Sequence, residues 1–156
     1  MKRTLPAVLL LALAGEARAL DFALNAGAIE VLTVPPARHL AVYPSVGVSA
    51  VKAFERVTLI PGLAAEWAPE TGAWGLVGSL VADFSVNERL GLDLDVTVLH
   101  DQAGAAFGQA AFFAGAGGGG SLFFGKWTAS VFVNLFHGLN VEGWSLVPGL
   151  NVAYAL

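Results

Sequence analysis

The chain contains no cysteine, which removes disulfide scaffolds, cysteine-type zinc sites and thiol nucleophiles. Charge is scarce as well. Only 13% of the 156 residues are Asp, Glu, Lys or Arg, against about 25% in an average soluble domain. A monomeric water-soluble fold needs more charge than this to cover its surface, so an ordinary cytosolic domain is disfavoured. Basic excess is missing too: the formal charge is -4, so the electrostatic footprint of a phosphate-backbone binder is absent and no nucleic-acid partner is expected. Long uninterrupted helical runs are lacking, because 19 Gly and 7 Pro punctuate nearly every stretch longer than a dozen residues. Of the three histidines, His39, His100 and His137, no two stand at a metal-ligand spacing, so neither a metal nor a cofactor is expected.

What is present is apolar residues, 56% of the chain. The first of them follow a basic start, Met1-Lys2-Arg3. Leu5 to Ala14 then forms a short apolar core, and Ala17-Arg18-Ala19 has the small-x-small pattern of a cleavage site. Residues 1–19 therefore read as a secretory signal peptide, with an apolar run too short to cross a bilayer as a helix. Removing Lys2, Arg3, Arg18 and Glu16 from the 8 basic and 12 acidic residues leaves 5 and 11, a net charge of -6 on residues 20–156. The length of that remainder suits a single domain.

Beyond residue 20 the dominant period is two. Trp74, Leu76, Gly78, Leu80, Ala82, Phe84 and Val86 fall on one face, with Ser79, Asp83 and Ser85 on the other. Leu92, Leu94, Val96 and Val98 alternate with Asp93, Asp95 and Thr97, and Trp144 to Leu156 alternates to its last residue. This is the signature of strands with one apolar face. Breaks at turn-rich stretches divide the chain into eight segments: Leu20 to Val34, His39 to Ala53, Arg56 to Ala68, Ala73 to Val86, Leu90 to His100, Ala105 to Gly117, Ser121 to Phe136, and Gly143 to Leu156. The connections are short enough for hairpins. One of them is taken to be the Gly118-Gly119-Gly120 run. Gly115-x-Gly117-x-x-Gly120 formally matches a dinucleotide fingerprint but lacks the strand-to-helix context, and reads as part of a glycine-rich turn. Pro44, Pro61 and Pro148 fall inside segments and predict bulges or kinks.

Eight long hairpin-connected strands predict an all-β, antiparallel up-and-down barrel. Segments of eleven to sixteen residues exceed ordinary soluble strands and fit tilted membrane-spanning ones. The second face carries mainly Ser, Thr, Asn, Gly, Ala and a few Asp, which suits a narrow lumen better than a water-facing exterior. Trp67, Trp74, Trp127 and Trp144, with Tyr154, lie on the apolar parity near segment ends, as an interfacial aromatic girdle would. Together these features resemble the small eight-stranded outer-membrane β-barrel proteins of Gram-negative bacteria over residues 20–156. The most specific local piece is Gly149-x-x-Val152-x-Tyr154, ending at Leu156, which resembles the β-signal read by the outer-membrane barrel assembly machinery. Val147 stands where that signal carries a polar residue and Leu156 where it commonly carries an aromatic. The resemblance implies outer-membrane lipid and that machinery as partners.

Two constellations invite chemistry. A three-residue turn centred on Glu88 would set Asp83 directly across from Asp93, with Asp95 one pleat further on the same lumen face. Such a cluster reads either as an ion or proton site or as a structural network closed by Lys126 or water. His137-Gly138-Leu139-Asn140 partly resembles the His-x-Ser-Asn stretch of the lipid A deacylase barrels, where His, Ser and a Glu form a hydrolytic triad. Here Leu139 occupies the nucleophile position, leaving Ser130, Ser145 and Glu142 as residues of unassigned relation to the imidazole. The leading expectation is a non-enzymatic outer-membrane barrel with a structural, interaction or minor passage role. The alternatives are a lipid-modifying outer-membrane hydrolase, marked by a serine hydroxyl near His137, and an exported soluble lipocalin-like barrel, marked by an apolar lumen and polar exterior.

Overall fold

The computed structural model describes residues 21–33, 40–69, 72–101 and 111–156. The expected signal peptide, His39 and the turn around Pro35 to Arg38 lie outside them. Eight strands follow one another: β1 (Asp21–Thr33), β2 (Leu40–Ala53), β3 (Val57–Ala68), β4 (Ala73–Asn87), β5 (Leu90–Asp101), β6 (Ala111–Phe124), β7 (Trp127–Gly138) and β8 (Trp144–Ala155). Each pairs antiparallel with its neighbour in sequence, and β1 closes on β8. Closure leaves no free sheet edge, which is what a strand-built wall needs where water is not there to satisfy main-chain groups.

Six of the eight segments expected from the period-two pattern match strands to within a residue or two at either end. The exceptions are β6 and β7. β6 runs straight through the glycine run, pairing Gly117, Gly118, Gly119 and Gly120 with Asn134, Val133, Phe132 and Val131. The reversal comes instead at Gly125-Lys126, where Gly125 takes φ 64°, a left-handed conformation that a side chain disfavours. The expected turn at Gly118-Gly120 is therefore corrected to mid-strand, and the Gly115 to Gly120 pattern is part of a strand rather than of a turn.

The prolines resolve differently from expectation. None carries a register shift; among the described pairings the shift lies at Ser85/Asn87, beside the β4–β5 turn. Each proline instead sits where its strand has no ladder partner on one side. β2–β3 pairing stops at Ser45↔Glu66, next to Pro44, and lapses between Ser49↔Gly62 and Lys52↔Leu59, at Pro61. β1–β8 pairing lapses between Ile29↔Gly149 and Leu32↔Leu146, at Pro148. A residue without an N–H is accommodated where none is required.

The wall sorts its side chains as the alternation predicts. Leu63, Trp74, Leu76, Leu92, Leu94, Val96, Val98, Val131, Val133, Leu150 and Val152 point outward and are exposed, whereas Ser49, Asp83, Asp93, Thr97, Ser121, Asn134 and Ser145 point inward and are buried. This is the reverse of a lipocalin, so the soluble-barrel alternative loses its marker. The lumen is not polar throughout, however. Ala111, Phe113, Phe136 and Val147 form a buried apolar cluster, joined by Tyr43, Leu99, Phe132 and Val141.

The two ends of the barrel differ. Asp21, Leu156 and the three connections Phe54–Arg56, Glu88–Arg89 and Gly125–Lys126 lie at one end, which we call the short-turn end. The facing ends of β1 and β2, of β3 and β4, of β5 and β6 and of β7 and β8, with the 139–143 connection, lie at the other, the loop end.

Candidate functional site

The lumen is organised around β6, whose inward positions between Phe113 and Ser121 are Gly115, Gly117 and Gly119. A strand without inward side chains lets its neighbours fold over it. From β5 and β7, Asp95 and Asn134 meet across Gly117: the Asn134 amide donates to Asp95 Oδ2 at 2.7 Å, and Thr97 donates to the same oxygen at 2.9 Å. A Cβ at Gly117 would collide with Asn134 Oδ1 and with the Val133 carbonyl. The Phe136 ring covers Gly115, and the Phe132 ring covers Gly149 of β8.

Toward the short-turn end, Asp83 and Asp93 stand directly opposite one another in the β4–β5 ladder, as expected. The expected three-residue turn is corrected to a two-residue one, Glu88–Arg89, with the register shift at Ser85/Asn87 restoring the pair. Both are buried, at 3% and 9% exposure. The Ser121 hydroxyl donates to Asp93 Oδ2 at 2.5 Å and shares a 2.8 Å hydrogen bond with Ser130. Asp83 Oδ2 packs against Gly91, and Asp83 Oδ2, Asp95 Oδ1 and Asn134 Oδ1 are buried acceptors without a protein donor. Asp93 and Asp95 are therefore held by hydroxyl and amide donors. Lys126 takes no part: it sits in the β6–β7 turn with Nζ 5.7 Å from the centre of the Tyr154 ring, so the expected closure of the network by Lys126 is corrected. Among the described residues, no three of His, Asp or Glu converge in a way that could hold a metal ion.

Toward the loop end the lumen is filled by the apolar cluster, and the 139–143 connection folds over it. Leu139 N–H donates to the Phe112 carbonyl at 2.7 Å, continuing the β6–β7 ladder past Gly138. The Asn140 side chain accepts from Phe112 N–H at 2.7 Å, and Gly138 N–H donates to Gly143 at 3.1 Å. These bonds turn Val141 back against the cluster. This plug was not legible from the sequence pattern. Phe113, Phe132, Phe136 and Val147 lie on the parity expected to be small and polar, and only the true β6–β7 turn brings the two phenylalanine strands into register.

His137 lies on the outer face and packs edge-on to Trp144, ring centres 4.4 Å apart. Ser145 and Ser130 lie on the inner face, Ser145 paired with Phe136 and Ser130 bonded to Ser121. The wall stands between the imidazole and both hydroxyls, so the serine near His137 that would mark a lipid-modifying hydrolase is not found there. His100 likewise packs on Phe112 at 4.4 Å. These two histidines belong to a set of outward aromatic pairs. Trp67 pairs with Trp74 and His137 with Trp144 at the loop end, and Trp127 with Tyr154 at 4.8 Å at the short-turn end. In the β-signal-like stretch, Gly149 faces the lumen under Phe132, Val152 and Tyr154 are paired in the β1 ladder, and Leu156 N–H donates to the Phe22 carbonyl at 2.9 Å.

No family model matches the sequence, and a search of curated proteins finds no match. Solved structures do match. The N-terminal β-barrel domain of Pseudomonas aeruginosa OprF is 14% identical, with a TM-score of 0.56 over 87% of this chain and 97% of that one. Neisserial surface protein A, NspA, is 14% identical, with a TM-score of 0.52 over 88% and 99%. Ail, the attachment invasion locus protein of Yersinia pestis, is 9% identical, with a TM-score of 0.51 over 88% and 97%. The fold is that of the small eight-stranded outer-membrane barrels. Identities this low establish architecture and leave the role of each residue to the chemistry of this chain.

Proposed function

We propose that the chain is an integral outer-membrane β-barrel with a structural or interaction role, without catalysis and without general solute passage. The observation that carries the membrane reading is the outer surface. Ten residues separate Trp74 from Phe84, Trp127 from His137 and Trp144 from Tyr154. At about 3.3 Å per residue and a tilt of about 40°, each interval spans roughly 25 Å along the barrel axis, the height of the apolar band of such proteins. Between these rings the wall exposes Leu and Val almost continuously. In this reading Trp67, Trp74, Trp127, Trp144 and Tyr154 are the interfacial girdle, with His100 and His137 as members at the loop end. The short turns face the periplasm, and Gly149, Val152, Tyr154 and Leu156 serve the assembly machinery. The phenylalanine plug and the covering 139–143 connection argue against a conducting lumen, and Asp83, Asp93 and Asp95 then serve as a structural network.

The test is gel mobility of purified residues 20–156 in detergent, with and without boiling, beside solubility once detergent is removed. A folded membrane barrel migrates differently unboiled and precipitates without detergent; a soluble, monodisperse protein overturns the reading. In planar bilayers the inserted protein is expected to give no discrete conductance steps, and regular steps would restore the passage role.

A further inference from the structure

The positively charged side chains of the described residues, which do not include Arg38, are gathered at one end. Among the described residues the Lys and Arg side chains are Lys52, Arg56, Arg89 and Lys126, and all four lie in the short-turn half; none lies at the loop end. Lys52 is buried in the wall. The other three are exposed and repeat one arrangement. Each is the last residue of a short turn, immediately before the first residue of a strand: Arg56 before Val57, Arg89 before Leu90, Lys126 before Trp127. In each case the main-chain carbonyl accepts a hydrogen bond from the next even-numbered strand: Arg56 from Ser85 N–H at 3.3 Å, Arg89 from Phe123 N–H at 3.0 Å, Lys126 from Ala155 N–H at 2.9 Å.

Three cations are thus fixed by their backbones at equivalent points around the rim, one residue outside the apolar band. The Lys126 ammonium rests over the Tyr154 ring, beside the Trp127–Tyr154 pair. That is the level at which an interfacial aromatic has its apolar body in the hydrocarbon and its polar tip among headgroups. Glu55 and Glu88 precede the two arginines in their turns, so the rim acts through close contacts rather than through a long-range field. A guanidinium matches a phosphate through paired N–H donors and an ammonium through a point charge.

We propose that Arg56, Arg89 and Lys126 form a rim that engages the phosphates of anionic phospholipid headgroups in the leaflet facing the short turns. This deepens the membrane-barrel reading and rests on it. The probe is a variant with Trp67→Phe, Trp74→Phe and Trp144→Phe, which leaves Trp127, the neighbour of Lys126, as the only tryptophan. It is reconstituted in vesicles in which either phosphatidylglycerol or phosphatidylcholine carries brominated chains, and quenching of Trp127 gives the relative association of the two lipids. A preference of about fivefold for phosphatidylglycerol is expected, the scale of one basic side chain near a membrane surface. It should fall toward unity in R56Q/R89Q/K126Q, and partially in each single variant, which serves if the triple variant does not fold.

Equal quenching by the two lipids, or a preference that survives all three substitutions, overturns the proposal while leaving the barrel inserted. Loss of the preference on adding inorganic phosphate would assign the rim to free anions and likewise overturn it. Absence of quenching by either lipid would show a protein that never entered the bilayer, a failure of the membrane reading itself.

Discussion

At the scale of single residues, the lumen depends on missing side chains as much as on present ones. Gly119 and Gly149 both face inward, but for different reasons. A Cβ on Gly119 would strike the main chain of β7 at Val131 and Phe132, whereas on Gly149 it would strike the tip of the Phe132 ring. Gly119→Ala and Gly149→Ala are each expected to lower folding stability by about 1–3 kcal/mol, the range for overpacking, read as the denaturant midpoint of the gel-mobility shift. Adding Phe132→Leu should restore most of the loss for Gly149→Ala and none of it for Gly119→Ala, because only the first clash is with a side chain. The Asp83–Asp93 juxtaposition was legible beforehand in outcome though not in cause, since the two-residue turn alone would set Asp83 against Leu94 and the register shift at Ser85/Asn87 moves it onto Asp93. The Asn134 contact with Asp95 was not. It spans three strands, and no local pattern records what a strand two places away will reach.

At the scale of elements, β6 shows where local signals mislead. Four successive glycines are a strong turn signal in sequence, yet they occupy the middle of a strand, because the bare backbone is what Asp93, Asp95, Asn134 and Phe132 pack across. The reversal at Gly125 is marked by one glycine alone. Gly125→Val is therefore expected to cost about 1–2 kcal/mol, since a β-branched residue would be held at positive φ, and Gly120→Ala much less, since the nearest atom to its new methyl is 3.5 Å away. If the turn lay at the glycine run the order would be reversed; refolding yields of the two variants decide it. The stretches Thr58–Trp67 and Ser145–Tyr154 resemble one another in sequence, sharing a Leu-x-Pro-Gly-Leu core, and their strands share a physical feature. In both strands a proline occupies a gap in the ladder and is followed by a glycine turned into the lumen.

At the scale of the whole molecule, the barrel architecture, the strand count and the apolar exterior were readable because they rest on a period of two sustained over eight segments, which a single misplaced turn does not erase. The division of the lumen into an apolar plug and a polar half was not readable, because it arises from register around a closed ring. That ring has a further consequence at its short-turn rim. The bonds from Ser85 to Arg56, Phe123 to Arg89 and Ala155 to Lys126 continue in the bond from Leu156 to Phe22, so the seam between β1 and β8 is tied much as the covalent turns are. Leu156 and Phe22 are close enough for a short linker to join them. A circular permutant so joined and opened at the exposed Gly72 turn is expected to refold with the same heat-dependent gel shift, since such openings are tolerated where little backbone bonding is lost. For this wall, which strand comes first is a property of the gene rather than of the cylinder.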